Sequence, residues 1–143
     1  MKRIGLVTLA MVLAVLVGVS PLFADVTWKN TNQITIAWDA VTTLNNGNPI
    51  PVGFSVLYRI YTRIFGTISE VEVTSLAATQ VIITFSDEGR YLVGAKAVRL
   101  EDATGLAVSE SEISWSDNPA VVSSAGTFGV IYYLPLANPK NVR

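Results

Sequence analysis

The 143-residue chain contains no histidine and no cysteine. It therefore lacks the commonest general base, the thiolate nucleophile and the soft ligands of structural zinc sites. Disulfides and a cysteine-linked lipid anchor are excluded too, so core packing alone must hold the fold. The acid–base material left is carboxylate, in Asp87-Glu88, Glu101-Asp102 and Glu110/Glu112. A pair of these could serve glycoside hydrolysis, but each lies in or beside an expected turn, where acids are ordinarily just solvated. A calcium site around Asp87 and Glu88 would need a D-x-D-x-D pattern, which is missing, as is any glycine loop built to cradle phosphate. The expectation is a protein that is not an enzyme and carries no cofactor and no metal.

Charge is scarce, at 15% of residues, and formal net charge is −1. No basic face is available for nucleic acid. No stretch carries a 3.6-residue apolar stripe, which argues against amphipathic helices. The single long hydrophobic run, Ile4 to Val19, spans 16 residues behind Lys2 and Arg3. That is short of the ~20 a membrane-spanning helix needs. Ser20-Pro21 breaks it, and Ala24 offers a small residue before a cut. This is the layout of a secretory signal peptide over residues 1–24, with Asp25 as the expected mature N-terminus. Contact with a membrane is expected only through that segment, if it stays uncleaved. The expected location is secreted or periplasmic. The absence of cysteine and of any N-x-[ST] sequon suits bacterial export better than eukaryotic.

Removing 24 of 143 residues leaves 119, with eight Lys/Arg against eleven Asp/Glu. A domain of that size buries about two-thirds of its unfolded surface without a staple. From Val26 onward the hydrophobic pattern alternates with period two. Strands are expected at 26–29, 33–39, 53–62, 67–74, 79–85, 90–100 and 109–116, separated by turn signals at Asn45 to Pro49, Phe65-Gly66-Thr67 and Ala103-Thr104-Gly105. Seven short strands of this kind imply an all-β sandwich. Residues 25–117 form the expected domain. Residues 118–143 form a loop-like tail, possessing one further candidate strand at 128–134.

The most informative stretch is Asp87-Glu88-Gly89-Arg90-Tyr91. A tyrosine just after a D-x-G turn marks a tyrosine corner, whose phenol bonds back to nearby backbone in a β-sandwich. Trp38 closes an earlier alternating strand, Gln33-Ile34-Thr35-Ile36-Ala37-Trp38. The order of features resembles a fibronectin type III domain over about Val26 to Asp117. Ile34 to Asp39 is similar to that family's B strand, and Gly53-Phe54-Ser55-Val56-Leu57-Tyr58 to its C strand. Phe85 and Tyr91 match the pair at its E–F corner, and Ser109 to Asp117, with Trp115, resembles its G strand. The D-x-G-x-Y turn is equally reminiscent of immunoglobulin domains, with Val93 where they carry cysteine. The resemblance implies a seven-stranded antiparallel immunoglobulin-like sandwich with a C-terminal tail strand, anchored by Trp38, Tyr58 and Tyr91. It also makes Pro139 to Arg143 look like the opening of a second such domain, as in a tandem array.

Function is expected in surfaces rather than chemistry. Strand parity puts Leu57, Arg59 and Tyr61 opposite Phe54, Val56 and Tyr58. Leu92, Gly94, Lys96 and Val98 share that outer face, so Leu57, Arg59, Tyr61, Leu92, Lys96 and Val98 form a candidate partner surface, unless the chain's own tail covers them. The loops 41–51, 65–66 and 100–108 are expected at one end as a second docking region. Trp28, Tyr61, Trp115, Tyr132 and Tyr133 could form a sugar-stacking platform or a protein hot spot. The expectation is an exported binding or scaffold module that recognises a protein or a cell-surface glycan. The alternatives are a structural subunit, or a truncated segment, of a surface assembly whose tail links neighbours, and an accessory carbohydrate-binding domain.

Overall fold

The computed structural model describes residues 25–123 and 126–140. The expected signal segment lies outside the described residues, as do Asn141, Val142 and Arg143 of the expected second-domain opening. Every described element is a strand: β1 Thr27–Asn30, β2 Gln33–Ala37, β3 Phe54–Ile64, β4 Glu70–Leu76, β5 Gln80–Thr84, β6 Gly89–Glu101, β7 Ala107–Glu110, β8 Ser114–Trp115 and β9 Phe128–Tyr132. The chain is all-β, in two sheets. The large sheet runs β1-β9-β6-β3-β4, with β7 and β8 also on β6, and the small one is β2 paired with β5.

Alternation explains the packing. β2 reads Gln-Ile-Thr-Ile-Ala with Ile34 and Ile36 buried and their neighbours exposed. Opposite stand Tyr58 and Ile60 of β3, Val93 of β6 and Val130 of β9; Ile83 of β5 and the following Phe85 complete the core. β-branched side chains suit this work because their restricted χ1 costs little on a pleated surface. The three turn signals all fall in turns, and Gly66 and Gly105 adopt φ of 83° and 69°, left-handed values that glycine reaches without a Cβ clash.

Two expectations are corrected here. The large sheet is mixed rather than antiparallel, because β1 pairs with β9 in parallel, Trp28 opposite Gly129. Alternation reveals which face a residue occupies but carries no information about strand direction, so the pattern could not reveal this. The expected last strand is also broken. β7 lies on β6 at Val98–Leu100 and β8 at Gly94–Ala95. After an excursion beyond Ser116 the chain returns as β9 on Gly89–Tyr91. Ser116 N–H donates to Val93 and Phe128 N–H to the Ser116 carbonyl, each at 2.9 Å, so all three pieces follow one edge of β6. Residues 128–132 are thus integral to the sheet, and Val130 is fully buried; packing does not stop at residue 117.

Candidate binding surfaces

The three expected anchors sit where the two sheets meet. Tyr91 donates its phenol hydrogen to the Asp87 carbonyl at 2.8 Å, four residues upstream, closing the corner that the D-x-G-x-Y turn announced. Its ring stacks on Phe85 at 4.5 Å. A Cβ on Gly89 would stand 3.2 Å from that ring, so glycine gives the ring room. Burial, then the nearby Asp87 and Tyr133, raise the Tyr91 pKa. Trp38 tilts against Tyr58 at 5.3 Å, and Tyr58 accepts the Val41 N–H at 2.8 Å.

The outer face of the large sheet is less open than its composition suggested. Leu92 and Val98 are 2% and 0% exposed, while Leu57, Arg59, Tyr61 and Lys96 are half-buried. β9 does not lie over this face; it extends the sheet in plane. The cover comes from long side chains reaching across β6. Arg63, the cross-strand partner of Leu92, places its guanidinium 4.3 Å from the Trp115 ring centre and pairs with Asp117 at 3.1 Å. Arg59 reaches Glu110 at 2.8 Å, and Lys96 reaches the same carboxylate at 3.2 Å. The bond to Glu110 is the main cause that raises the Lys96 pKa, against an opposing effect of burial. Tyr61 lies within 5.8 Å of the Lys96 ammonium.

Tryptophans seal the rest through glycines. A Cβ on Gly94 would meet Trp115 ring carbon at 2.8 Å, and one on Gly129 would meet Trp28 at 2.5 Å. Each indole therefore fills the space its cross-strand glycine leaves empty, a pairing that aromatic–glycine neighbours favour in sheets. Trp28 also meets Phe65 edge-on at 5.0 Å. Of the five aromatics expected as a platform, Tyr61 and Trp115 flank Gly94 on one cross-strand row, Trp28 lies against Gly129 and Phe65, Tyr132 packs on the core, and Tyr133 is exposed. The signals of this arrangement in the sequence were Gly94 and Gly129, each a glycine inside an otherwise apolar candidate strand.

The loops divide between the two poles. Asp102 N–H donates to the Gly53 carbonyl at 2.9 Å, tying the 41–53 loop to the 101–106 turn. This pole exposes Val52, Leu106 and Val108 at 102%, 65% and 46%. Phe65-Gly66 is at the opposite pole, since β3 runs its full length between, and Phe65 N–H bonds the Arg90 carbonyl. It does not join the other two loops as expected.

A third surface went unforeseen. A cleft of about 550 Å³ opens between the upper end of β2 and the broken edge strand. Ile36 to Asp39, Val93, Ala95, Val121, Val122 and Phe128 are among its lining residues. Trp38 Nε1 is buried without a hydrogen-bond partner.

Three of the carboxylates that the sequence offered bond within the fold. Glu110 is held by Arg59 and Lys96, Glu101 accepts the Thr104 hydroxyl at 2.6 Å, and Glu88 accepts the Leu134 N–H. Among the described residues no cluster of three or more acidic, histidine or cysteine side chains is placed to hold a metal ion. Comparison with protein families, curated proteins and solved structures finds no match for this chain.

Proposed function

We propose that the chain is a non-catalytic exported binding or scaffold module, a fibronectin type III-like domain that meets a protein or glycan at the cell surface. The observation carrying this reading is the pole formed by the 41–53 loop and the 101–106 turn. Val52 and Leu106 stand in water there, beside turns tied by a backbone hydrogen bond, and Val108 is exposed at the start of β7. Scattered exposed aliphatics are ordinary; a cluster on pinned loops at one end of a rigid scaffold is how such scaffolds present a contact. Because function belongs to sites and not to folds, the family likeness adds only analogy.

The double variant Val52→Asp/Leu106→Asp tests it. Binding of the purified protein to intact envelope material or to a glycan array should fall by roughly tenfold or more, with thermal melting unchanged. Equal binding by variant and wild type would remove the pole from consideration.

A second reading, a structural subunit of a surface assembly, is favoured by a different observation. Among the described residues the small sheet has two strands, and the edge of β2 that no described strand pairs with borders the cleft.

A further inference from the structure

The backbone of β2 has two sides. Trp38 N–H bonds Thr79 and Phe85 N–H bonds the Asn32 carbonyl, so with the register of the pair the even-numbered residues face β5. Gln33, Thr35 and Ala37 face the other way. Gln33 is satisfied locally, for the Thr31 hydroxyl accepts its N–H at 3.1 Å and donates to its carbonyl at 2.9 Å. Among the described residues nothing caps Thr35 and Ala37 in this way, and unpaired edge groups of this kind are a template for another strand. The edge of β4, by contrast, carries Glu70 and Glu72 at alternate positions, which discourages pairing. Beside the bare part of β2 lies the cleft, with Ile36 and Trp38 facing it.

The chain also displays a matching strand. Past β9 it continues as Tyr133-Leu134-Pro135-Leu136-Ala137-Asn138-Pro139-Lys140 with no regular structure, and Leu134 and Leu136 are 62% and 95% exposed. Only one orientation suits this arm. In a parallel pair, the residues whose N–H and C=O groups meet the neighbour's edge lie between that neighbour's edge-facing residues. With Pro135 beside Thr35, the groups of Leu134, Leu136 and Asn138 reach Thr35 and Ala37, while Pro135 and Pro139 turn their missing donors outward. Leu136 then enters the cleft beside Ile36, and Asn138 comes alongside Trp38, whose Nε1 lacks an acceptor. Pro139 then lies beside Asp39, which among the described residues is the only charged one lining the cleft, and Lys140 follows one position on. Antiparallel pairing would instead leave both leucines in water. In its own chain the arm is directed elsewhere, for Glu88 accepts the Leu134 N–H at the Asp87–Gly89 corner.

We infer that the open edge of β2 and its cleft accept residues 134–140 of a second copy as a parallel added strand, a mode of recognition built on main-chain bonds and alternate side-chain pockets. This deepens the second reading above and does not depend on the loop pole. Donor and acceptor surfaces differ, so the contact is heterologous and propagates into chains or closes into rings.

The protein recovered from an exporting host is examined by size exclusion with light scattering, alone and as two variants. Leu136→Asp spoils the arm at an exposed residue. Thr35→Pro removes an edge donor that β5 does not use. Wild type should grow in mass with concentration; each variant alone should be monomeric; and an equimolar mixture should give a one-to-one dimer, since it holds one sound arm and one sound edge. A peptide of residues 133–140 should bind the Leu136→Asp protein, and the same peptide with Leu136→Asp should bind roughly tenfold or more weakly. A wild type that stays monomeric at millimolar concentration, or mass growth that survives both substitutions, overturns the inference. Val52→Asp/Leu106→Asp should assemble normally, which separates this result from failure of the loop reading.

Discussion

The two faces of the large sheet both exclude water, by opposite means. The inner face does so with aliphatic side chains against a second sheet: Ile60 and Val130 are fully buried, with Ile34, Ile36 and Ile83 opposing them. Among the described residues no second sheet lies over the outer face. Leu92 and Val98 are buried there beside the Arg63 and Arg59 guanidinium groups drawn across β6 to Trp115, Asp117 and Glu110, with Lys96 of β6 joining the same Glu110. Long basic side chains can cover apolar surface with their stems while keeping the charged head wet. A sheet face can therefore be closed without a partner, and apolar residues on it are not in themselves evidence of docking.

Substitutions can break that comparison. The largest loss is expected for Ile60→Ala, about 2–5 kcal/mol by chemical denaturation, because a cavity between two sheets cannot collapse. Leu92→Ala should fall at the low end of the same range, since the Arg63 side chain above it can settle into the space; equal losses would mean the outer cover is as rigid as the core. Gly94→Ala forces a methyl toward Ile113 and Trp115 at under 3 Å. It should cost about 1–3 kcal/mol, and a Trp115→Leu background should relieve much of that in a double-mutant cycle. Tyr91→Phe should cost about 0.5–1.5 kcal/mol, the ordinary worth of one hydrogen bond.

The smallest expected effect is in pH. Lys96 and Tyr91 both hold their protons more tightly folded than unfolded. Their contribution is complete below the unfolded pKa values, about 10.4 and 10, and is lost as pH rises through the higher folded values. With no histidine to titrate, melting temperature should show no step between pH 6 and 8, a window chosen around the ordinary histidine pKa of about 6.5, and should decline in the alkaline range. A step near neutrality would sink this account of which groups carry the dependence.

Much of the fold was legible. Eight of the expected strand positions, from Val26 to the tail candidate at 128, contain strands, because alternation records which side of a sheet each residue faces. The corner was legible for a different reason: Gly89 and Tyr91 act on each other at close range, so their spacing alone encodes the contact. The burial of Leu92 and Val98 was not legible, because parity assigns them to a face but cannot say that Arg63 and Arg59 reach across β6 beside them. Nor could the cleft be read, for it arises where β2, β6 and residues 121–128 converge from distant parts of the chain.

By itself the sequence determined the all-β class, the corner and the lack of histidine or cysteine chemistry, since these depend on residue identity and local spacing. Tertiary structure alone decided the parallel pairing of β1 with β9, the broken edge strand and the uncapped groups of β2. Those depend on which strand ends beside which, and side-chain alternation is blind to strand direction and to the neighbour across the gap.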